Sequence, residues 1–110
     1  MSYKVKITAH FDKEIKRIAK KHKGVRTDLA ALINDLKENP TKGTDIGGGY
    51  YKIRLSISGS NKGKSGGARV ITFVVFVEET VYLSEVYLKS EHDSVDPAII
   101  SKRLKGEGII

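Results

Sequence analysis

The sequence of 110 residues contains no cysteine, so disulfide bonds and thiolate metal sites are excluded. It also lacks a long apolar run, because the longest, 70–77, includes Thr72 and is far shorter than the about 20 residues of a bilayer span. The first seven residues show no apolar stretch of the kind found in a secretion signal. We therefore expect one soluble, cytoplasmic domain that comprises residues 1–110.

Basic residues are abundant, and the formal net charge of +7 is concentrated in two segments. Residues 1–26 carry nine Lys and Arg against two acidic residues, and residues 50–69 carry five basic residues and no acidic one. A basic domain of this size favours a polyanionic partner, either a nucleic acid or an acidic protein. Lysines that merely keep the surface solvated are the alternative, and charge alone does not decide between them.

Four segments have the residue pattern of β-strands. Apolar and polar residues alternate over 3–8 and over 50–58, which is typical of a strand with one buried face. The segment 68–77 is almost wholly apolar and β-branched, which predicts a central strand covered on both faces. Glu78-Glu79 then predicts a tight turn into a fourth strand over 80–88, so that the last two strands form a hairpin.

Helical periodicity predicts two consecutive helices between the first and second strands. The first helix covers about 11–22, with Asp12 as its N-cap. The second covers about 27–39 and stops before a proline. The short link between them predicts an antiparallel helical hairpin, and the segment 41–49 that follows is expected to be a polar loop.

A last short helix over about 97–104, capped by Asp96 or Ser94, completes the order β-α-α-β-β-β-α. This order predicts an α+β fold in which the helical hairpin packs on one face of a twisted antiparallel sheet. The other face of the sheet would then carry Lys52 and Arg54.

The loop between the second and third strands is rich in glycine and lysine. Lys62 and Lys64 lie within it, and Arg54 and Arg69 flank it. Because glycines let the main chain approach phosphates closely, this loop could clamp a nucleic-acid backbone. A solvated loop whose lysines serve solubility is the alternative interpretation.

Three segments, in this order and at similar spacing, resemble the RelE/HigB family of toxins from bacterial type II toxin–antitoxin systems. They are Lys52-Ile-Arg54 in a strand, Gly63-Lys-Ser-Gly-Gly-Ala-Arg69 in the following hairpin, and Tyr87-Leu-Lys-Ser-Glu91 at the end of the last strand. The resemblance covers nearly the whole chain, since the order of strands and helices also matches, and it implies a RelE-like toxin domain. The RelE/ParE superfamily also contains gyrase poisons, so the resemblance is less specific for activity.

The resemblance implies an endoribonuclease that cleaves messenger RNA, usually in the A site of the 70S ribosome. It implies a cognate antitoxin protein as partner, and we expect no metal and no other cofactor. The residues that match the catalytic group are Arg54, Lys64, Arg69, Tyr87 and Lys89. The residues that match the RNA- and ribosome-binding group are Lys52, Arg54, Lys62 and Lys64.

These residue types suit the cleavage of RNA by its own 2′-hydroxyl. Arginine binds two phosphate oxygens and keeps its charge, so Arg69, with Arg54 beside it, is our first choice for stabilising the phosphorane. A lysine among other cations gives up its proton more easily and can act as a base. The sequence does not choose among the lysines. Tyr87 could stack on a base, transfer a proton, or simply pack in the sheet.

The histidines have no evident place in this site. We expect His22 to pack in the core or at the end of the first helix, and His10 to lie at a strand–helix junction without a chemical role. Only His92, just after the last strand, is a candidate proton carrier. No pairing of histidines and acids has the spacing of metal ligands.

Two other functions remain open from the sequence. One is a gyrase-inhibiting toxin of the ParE kind, a protein binder that would not need the basic residues at the proposed site. The other is a nucleic-acid-binding module without catalysis, whose binding would depend steeply on salt and would leave no cleaved product.

Overall fold

The computed structural model describes residues 2–58 and 67–110, and within them the chain forms three helices and a five-stranded sheet. In chain order the elements are β1 (Lys4–Ile7), α1 (Ala9–Lys21), α2 (Val25–Glu38), β2 (Thr44–Gly47), β3 (Tyr50–Leu55), β4 (Ala68–Val75), β5 (Thr80–Leu88) and α3 (Pro97–Gly106). The predicted α+β class is confirmed. In the described ranges, none of the helices is long and apolar enough to cross a membrane.

The sheet has the order β1-β5-β4-β3-β2. All neighbouring strands are antiparallel except β1 and β5, which are parallel, so the sheet is mixed at one edge. The strand β2 lies where we predicted only a polar loop, and that prediction was wrong. We missed β2 because it is short and wholly exposed, so its sequence shows no alternation of apolar and polar residues. We did not expect the parallel pairing of β1 with β5, because alternation indicates an extended segment but not its partner strand.

Helix starts differ slightly from those predicted. Thr8, not Asp12, is the N-cap of α1, and its hydroxyl accepts a hydrogen bond from the backbone N–H of Phe11 at 3.1 Å. Asp12 instead lies in the first turn, where a negative charge is still favourable. The predicted cap of α3 is confirmed, because the carboxylate of Asp96 accepts from the N–H of Ala98 at 2.9 Å.

The two faces of the sheet are covered by different helices. As predicted, α1 and α2 pack together on one face, where they form the main hydrophobic core with alternate residues of β3, β4 and β5. The short helix α3 packs on the opposite face. A second, smaller cluster there consists of Tyr50, Ile71, Tyr87, Ile100 and Leu104. We call these the hairpin face and the α3 face.

Candidate functional site

Three of the predicted site residues form a row across the three central strands, near the edge of the sheet where β3 and β5 end and β4 begins. Arg54 on β3 lies opposite Arg69 on β4, and Arg69 lies opposite Tyr87 on β5. Directly opposed residues of antiparallel strands point to the same face, with Cβ atoms about 4.5–5.5 Å apart. The side chains of this Arg54–Arg69–Tyr87 row therefore share the α3 face, to which the ring of Tyr87 belongs.

The two arginines of the row suit an anion. Like charges directly opposed on a sheet repel each other, and an anion bound between them removes that cost. Neither Arg54 nor Arg69 takes part in the ion pairs found among residues 2–58 and 67–110. Arg69 donates to the carbonyl of its neighbour Ala68 at 3.2 Å, which satisfies one of its five N–H groups.

Exposure falls along the row. Arg54 is exposed, whereas Arg69 is only 7% exposed and Tyr87 only 2%. Tyr87 packs in the cluster below α3 with Ile100 and Leu104. In this structure the row is therefore open at its β3 end and covered at its β5 end.

The hydroxyl of Tyr87 is buried and has no hydrogen-bond partner among the described residues. Leaving a buried hydroxyl unpaired costs about 1–3 kcal/mol, and such exceptions in folded proteins call for an explanation such as a catalytic role. The ring of His92 stands edge-on to the Tyr87 ring, with centroids 6.1 Å apart. This predicted proton carrier thus lies beside the predicted site.

The lysines are placed less uniformly. Lys52 lies on the α3 face, two residues before Arg54 on β3, and is half-buried. Lys89 follows the end of β5, and its Nζ lies 3.3 Å from a carboxylate oxygen of Asp93. Lys62 and Lys64 lie outside the described residues.

The structure adds a buried charge cluster that the sequence analysis did not assemble. Glu85, two residues before Tyr87 on β5, is only 3% exposed. Its Oε1 lies 2.8 Å from Nε2 of His10 on α1, and its Oε2 accepts a hydrogen bond from Arg103 on α3. A carboxylate inside an apolar strand is the signal in the sequence that it has partners. Those partners could not be identified there, because His10 is 75 residues away and Arg103 is 18.

A cavity of about 250 Å³ lies between α1, β5, α3 and the segment that joins β5 to α3. Its lining includes His10, Glu85, Tyr87, His92, Ile99 and Arg103. Tyr87 therefore belongs both to the Arg54–Arg69–Tyr87 row and to the lining of this cavity, so the two adjoin at β5.

A bidentate ion pair between Arg17 and Glu91 holds the segment after β5 against α1. Arg17 donates from Nη1 and Nη2 to the two carboxylate oxygens of Glu91, at 3.0 and 2.9 Å. The hydrogen bonds from Arg17 lower the pKa of Glu91 despite some burial, and the bond to Glu91 is the main cause that raises the pKa of Arg17. Negative charge at Glu85 and Glu91 is thus matched by arginine, which limits how far it weakens the attraction of the site for an anion.

The α+β fold is the one that the resemblance to RelE-like toxins implied. The profile of a family described as "RelE toxin of RelE / RelB toxin-antitoxin system" matches residues 7–104. The chain belongs to this RelE toxin family, and the predicted relationship is confirmed. An antitoxin is therefore its implied partner.

Among solved structures, the chain is similar to the toxin RelE of E. coli, determined as an arginine-to-alanine double mutant in the free state. The TM-score is 0.63 over 96% of this chain and 97% of that chain, at 17% sequence identity. At this identity the likeness shows the fold alone. A search of curated proteins found no match.

Proposed function

We propose that this toxin is an endoribonuclease that cleaves messenger RNA in the A site of the ribosome and needs no metal or other cofactor. The observation that supports the proposal is the Arg54–Arg69–Tyr87 row, which puts two fixed positive charges side by side on one face with a buried hydroxyl that has no partner in the described part of the chain. A toxin that only bound another protein would not need this arrangement.

The row matches the requirements of RNA cleavage. The 2′-oxygen of one ribose attacks the adjacent phosphorus, the bond from phosphorus to the 5′-oxygen breaks, and the products are a 2′,3′-cyclic phosphate and a 5′-hydroxyl. Negative charge grows on the phosphorane oxygens during this step. Arg69 and Arg54, with their planar forks, would bind those oxygens and stabilise the transition state electrostatically.

Tyr87 would supply the proton that the leaving 5′-oxygen takes up. Its hydroxyl has no hydrogen-bond partner among the described residues, and Tyr87 lies directly opposite Arg69, which would bind the same phosphate. We assign contacts with RNA and ribosome to four basic residues, Lys52, Arg54, Lys62 and Lys64. Lys64 also belongs to the catalytic group, as does Lys89.

Access to the site follows the gradient of exposure. RNA would meet Arg54 first, because that end of the row is open. Contact with Tyr87 requires α3 to move, since Ile100 and Leu104 cover the ring. An acidic antitoxin would compete for the same basic surface, and we place both proteins in the bacterial cytoplasm with the ribosomes.

The test compares two exposed arginines on opposite sides of the sheet. Wild type, Arg54→Ala and Arg26→Ala are induced in a bacterial host, and the 5′ ends of cellular messenger RNA are mapped. Arg26 lies in the first turn of α2, on the hairpin face, and its replacement by alanine also removes one positive charge. We expect cuts within translated frames from wild type and Arg26→Ala, and loss of at least about 100-fold in cut frequency from Arg54→Ala, the size expected for removing one transition-state contact.

Other outcomes would replace the proposal. Growth arrest with intact messages and damaged DNA would indicate a gyrase inhibitor of the ParE kind. Folded protein that causes neither arrest nor cleavage, yet binds RNA with steep salt dependence, would indicate a non-catalytic module.

A further inference from the structure

We propose that His10, oriented by Glu85, accepts the proton of the attacking 2′-hydroxyl, so that the active site extends past β5 into the cavity beside Tyr87. The inference rests on the proposed function. It fills a gap in that mechanism, because the arginine row provides charge but no evident base. Within the described residues, the lining of the cavity brings together the buried carboxylate of Glu85, the imidazole of His10 and the side chain of Tyr87.

The hydrogen bond to Glu85 fixes which ring nitrogen is free. Nε2 of His10 lies 2.8 Å from Glu85 Oε1, a carboxylate acceptor, so Nε2 carries the proton. Arg103 Nη1 also lies 2.9 Å from Nε2, but two donors cannot bond each other, and this N–H belongs to the other oxygen of Glu85. The neutral ring therefore has its lone pair at Nδ1, ready to accept a proton.

Charges of both signs surround the His10 ring. From β5, Glu85 contributes a carboxylate that is only 3% exposed, and from α3, Arg103 contributes a positive charge. The other titratable groups around the cavity are Glu14 of α1 and His92 and Asp96 of the segment before α3. A buried carboxylate that holds an imidazole by one nitrogen fixes the orientation of the ring.

Charge balance alone does not require this histidine. Arg103 already neutralises Glu85 through Oε2, so a neutral donor would suffice at Oε1. His10 is also still reachable from solvent, with its side chain 24% exposed while that of Glu85 is 4% exposed. A base must meet its substrate, and the residue that orients it need not.

The protons balance across the site. The 2′-hydroxyl proton passes to His10 Nδ1 as the 2′-oxygen bonds to phosphorus, and Tyr87 gives its hydroxyl proton to the departing 5′-oxygen. His10 then carries one extra proton and Tyr87 lacks one. Transfer through solvent after product release restores both groups, with no other reactant consumed.

The test measures single-turnover cleavage of messenger RNA on programmed ribosomes by the purified full-length toxin, between about pH 5 and 8, the range in which imidazole changes charge. His10→Gln keeps an N–H donor for Glu85 but cannot carry a proton. His22→Gln is the matched control, because it is the same substitution at the other end of α1, away from the cavity. We expect His10→Gln to lose about 10²–10⁴ in rate.

Two further readouts separate proton transfer from packing. The wild-type rate should fall toward acid as the base is protonated, and His10→Gln should lose that fall while His22→Gln keeps it. His10→Gly should regain activity when free imidazole is added, since the cavity is open to solvent and the removed ring leaves room for it.

A His10→Gln variant with wild-type rate and pH profile would overturn this inference and leave the nuclease proposal standing. So would a slow His10→Gln with an unchanged pH profile and no imidazole rescue of His10→Gly, because damage to packing lowers the rate equally at every pH. A wild type that cuts no RNA would instead overturn the proposed function itself.

Discussion

The two faces of the sheet have opposite characters. The hairpin face is lined by apolar side chains and covered by two helices of 13 and 14 residues. The α3 face carries Arg54, Arg69 and Glu85 beside its apolar cluster, and one helix of 10 residues covers only part of it. The hairpin face buries apolar side chains, as expected for a core, whereas the α3 face also buries the charged residues Arg69 and Glu85. Such departures from the usual pattern of burial are expected at functional sites.

The difference also separates what holds the fold together from what can move. The core on the hairpin face joins residues of both long helices to three strands. The cluster on the α3 face is smaller and depends on a few side chains of α3 and on the ion pair between Arg103 and Glu85. We therefore expect α3 to open at a lower free energy than the rest of the domain.

Phe11→Ala should have the largest effect, because it strikes the hairpin face. The ring is fully buried in the main core, and its removal leaves a cavity that α1 cannot close without leaving its cap at Thr8. We expect a loss of about 3–5 kcal/mol in the free energy of unfolding, measured by urea denaturation. A loss below about 1 kcal/mol, the size of a surface change, would mean that the hairpin face is not the main source of stability.

Ile100→Ala should cost less, about 2 kcal/mol, the low end for such a truncation, because α3 can adjust on its smaller cluster. Its main effect should be local. Amide hydrogen exchange should speed up in α3 and at Tyr87 while the core around Phe11 keeps its protection. Equal acceleration on both faces would show that the two clusters unfold as one unit.

Tyr87→Phe should leave the free energy of unfolding unchanged or raise it by up to about 1 kcal/mol, because the variant removes a buried hydroxyl that has no hydrogen-bond partner among the described residues. Cleavage should nevertheless fall by about 10²–10⁴, the contribution of a proton donor. Thermal unfolding and single-turnover cleavage measure the two quantities on the same sample. A marked loss of stability would indicate that the hydroxyl has a partner after all and packs the sheet.

The sequence predicted the hairpin face better than the α3 face. Periodicity identifies which residues of α1 and α2 are buried, and alternation places Arg54 on the other side of the sheet. The Arg54–Arg69–Tyr87 row came from the family resemblance, and the strand register supports it. The contacts of Glu85 with His10 and Arg103 could not be predicted, because they join three elements whose relative position depends on the tertiary packing.

The predictions of the start of α1 and of the segment that forms β2 were wrong for local reasons. A threonine and an aspartate four residues apart, Thr8 and Asp12, can both cap a helix, and only the backbone geometry decides between them. The strand β2 follows Gly43, whose φ of +100° and close approach to the carbonyl of Lys52 leave no room for a side chain. In the sequence that glycine is indistinguishable from those of a loop.

Glu91→Gln should have the smallest effect, and its pH dependence is the informative part. Because Arg17 lowers the pKa of Glu91 in the folded protein from the ordinary value of 4.5, the pair stabilises the fold above that value, and the gain disappears as the pH falls through the lowered pKa. The two side chains are 45% and 38% exposed, so solvent screening limits the gain to about 0.2–1 kcal/mol. The difference in unfolding free energy between wild type and Glu91→Gln should therefore be present at neutral pH and vanish in acid. The control is Glu78→Gln, which changes an exposed carboxylate outside the ion pairs found in the described ranges and should give no such difference. A Glu91→Gln effect that persists in acid would mean that glutamine disturbs the packing around Arg17 rather than removing a charge interaction.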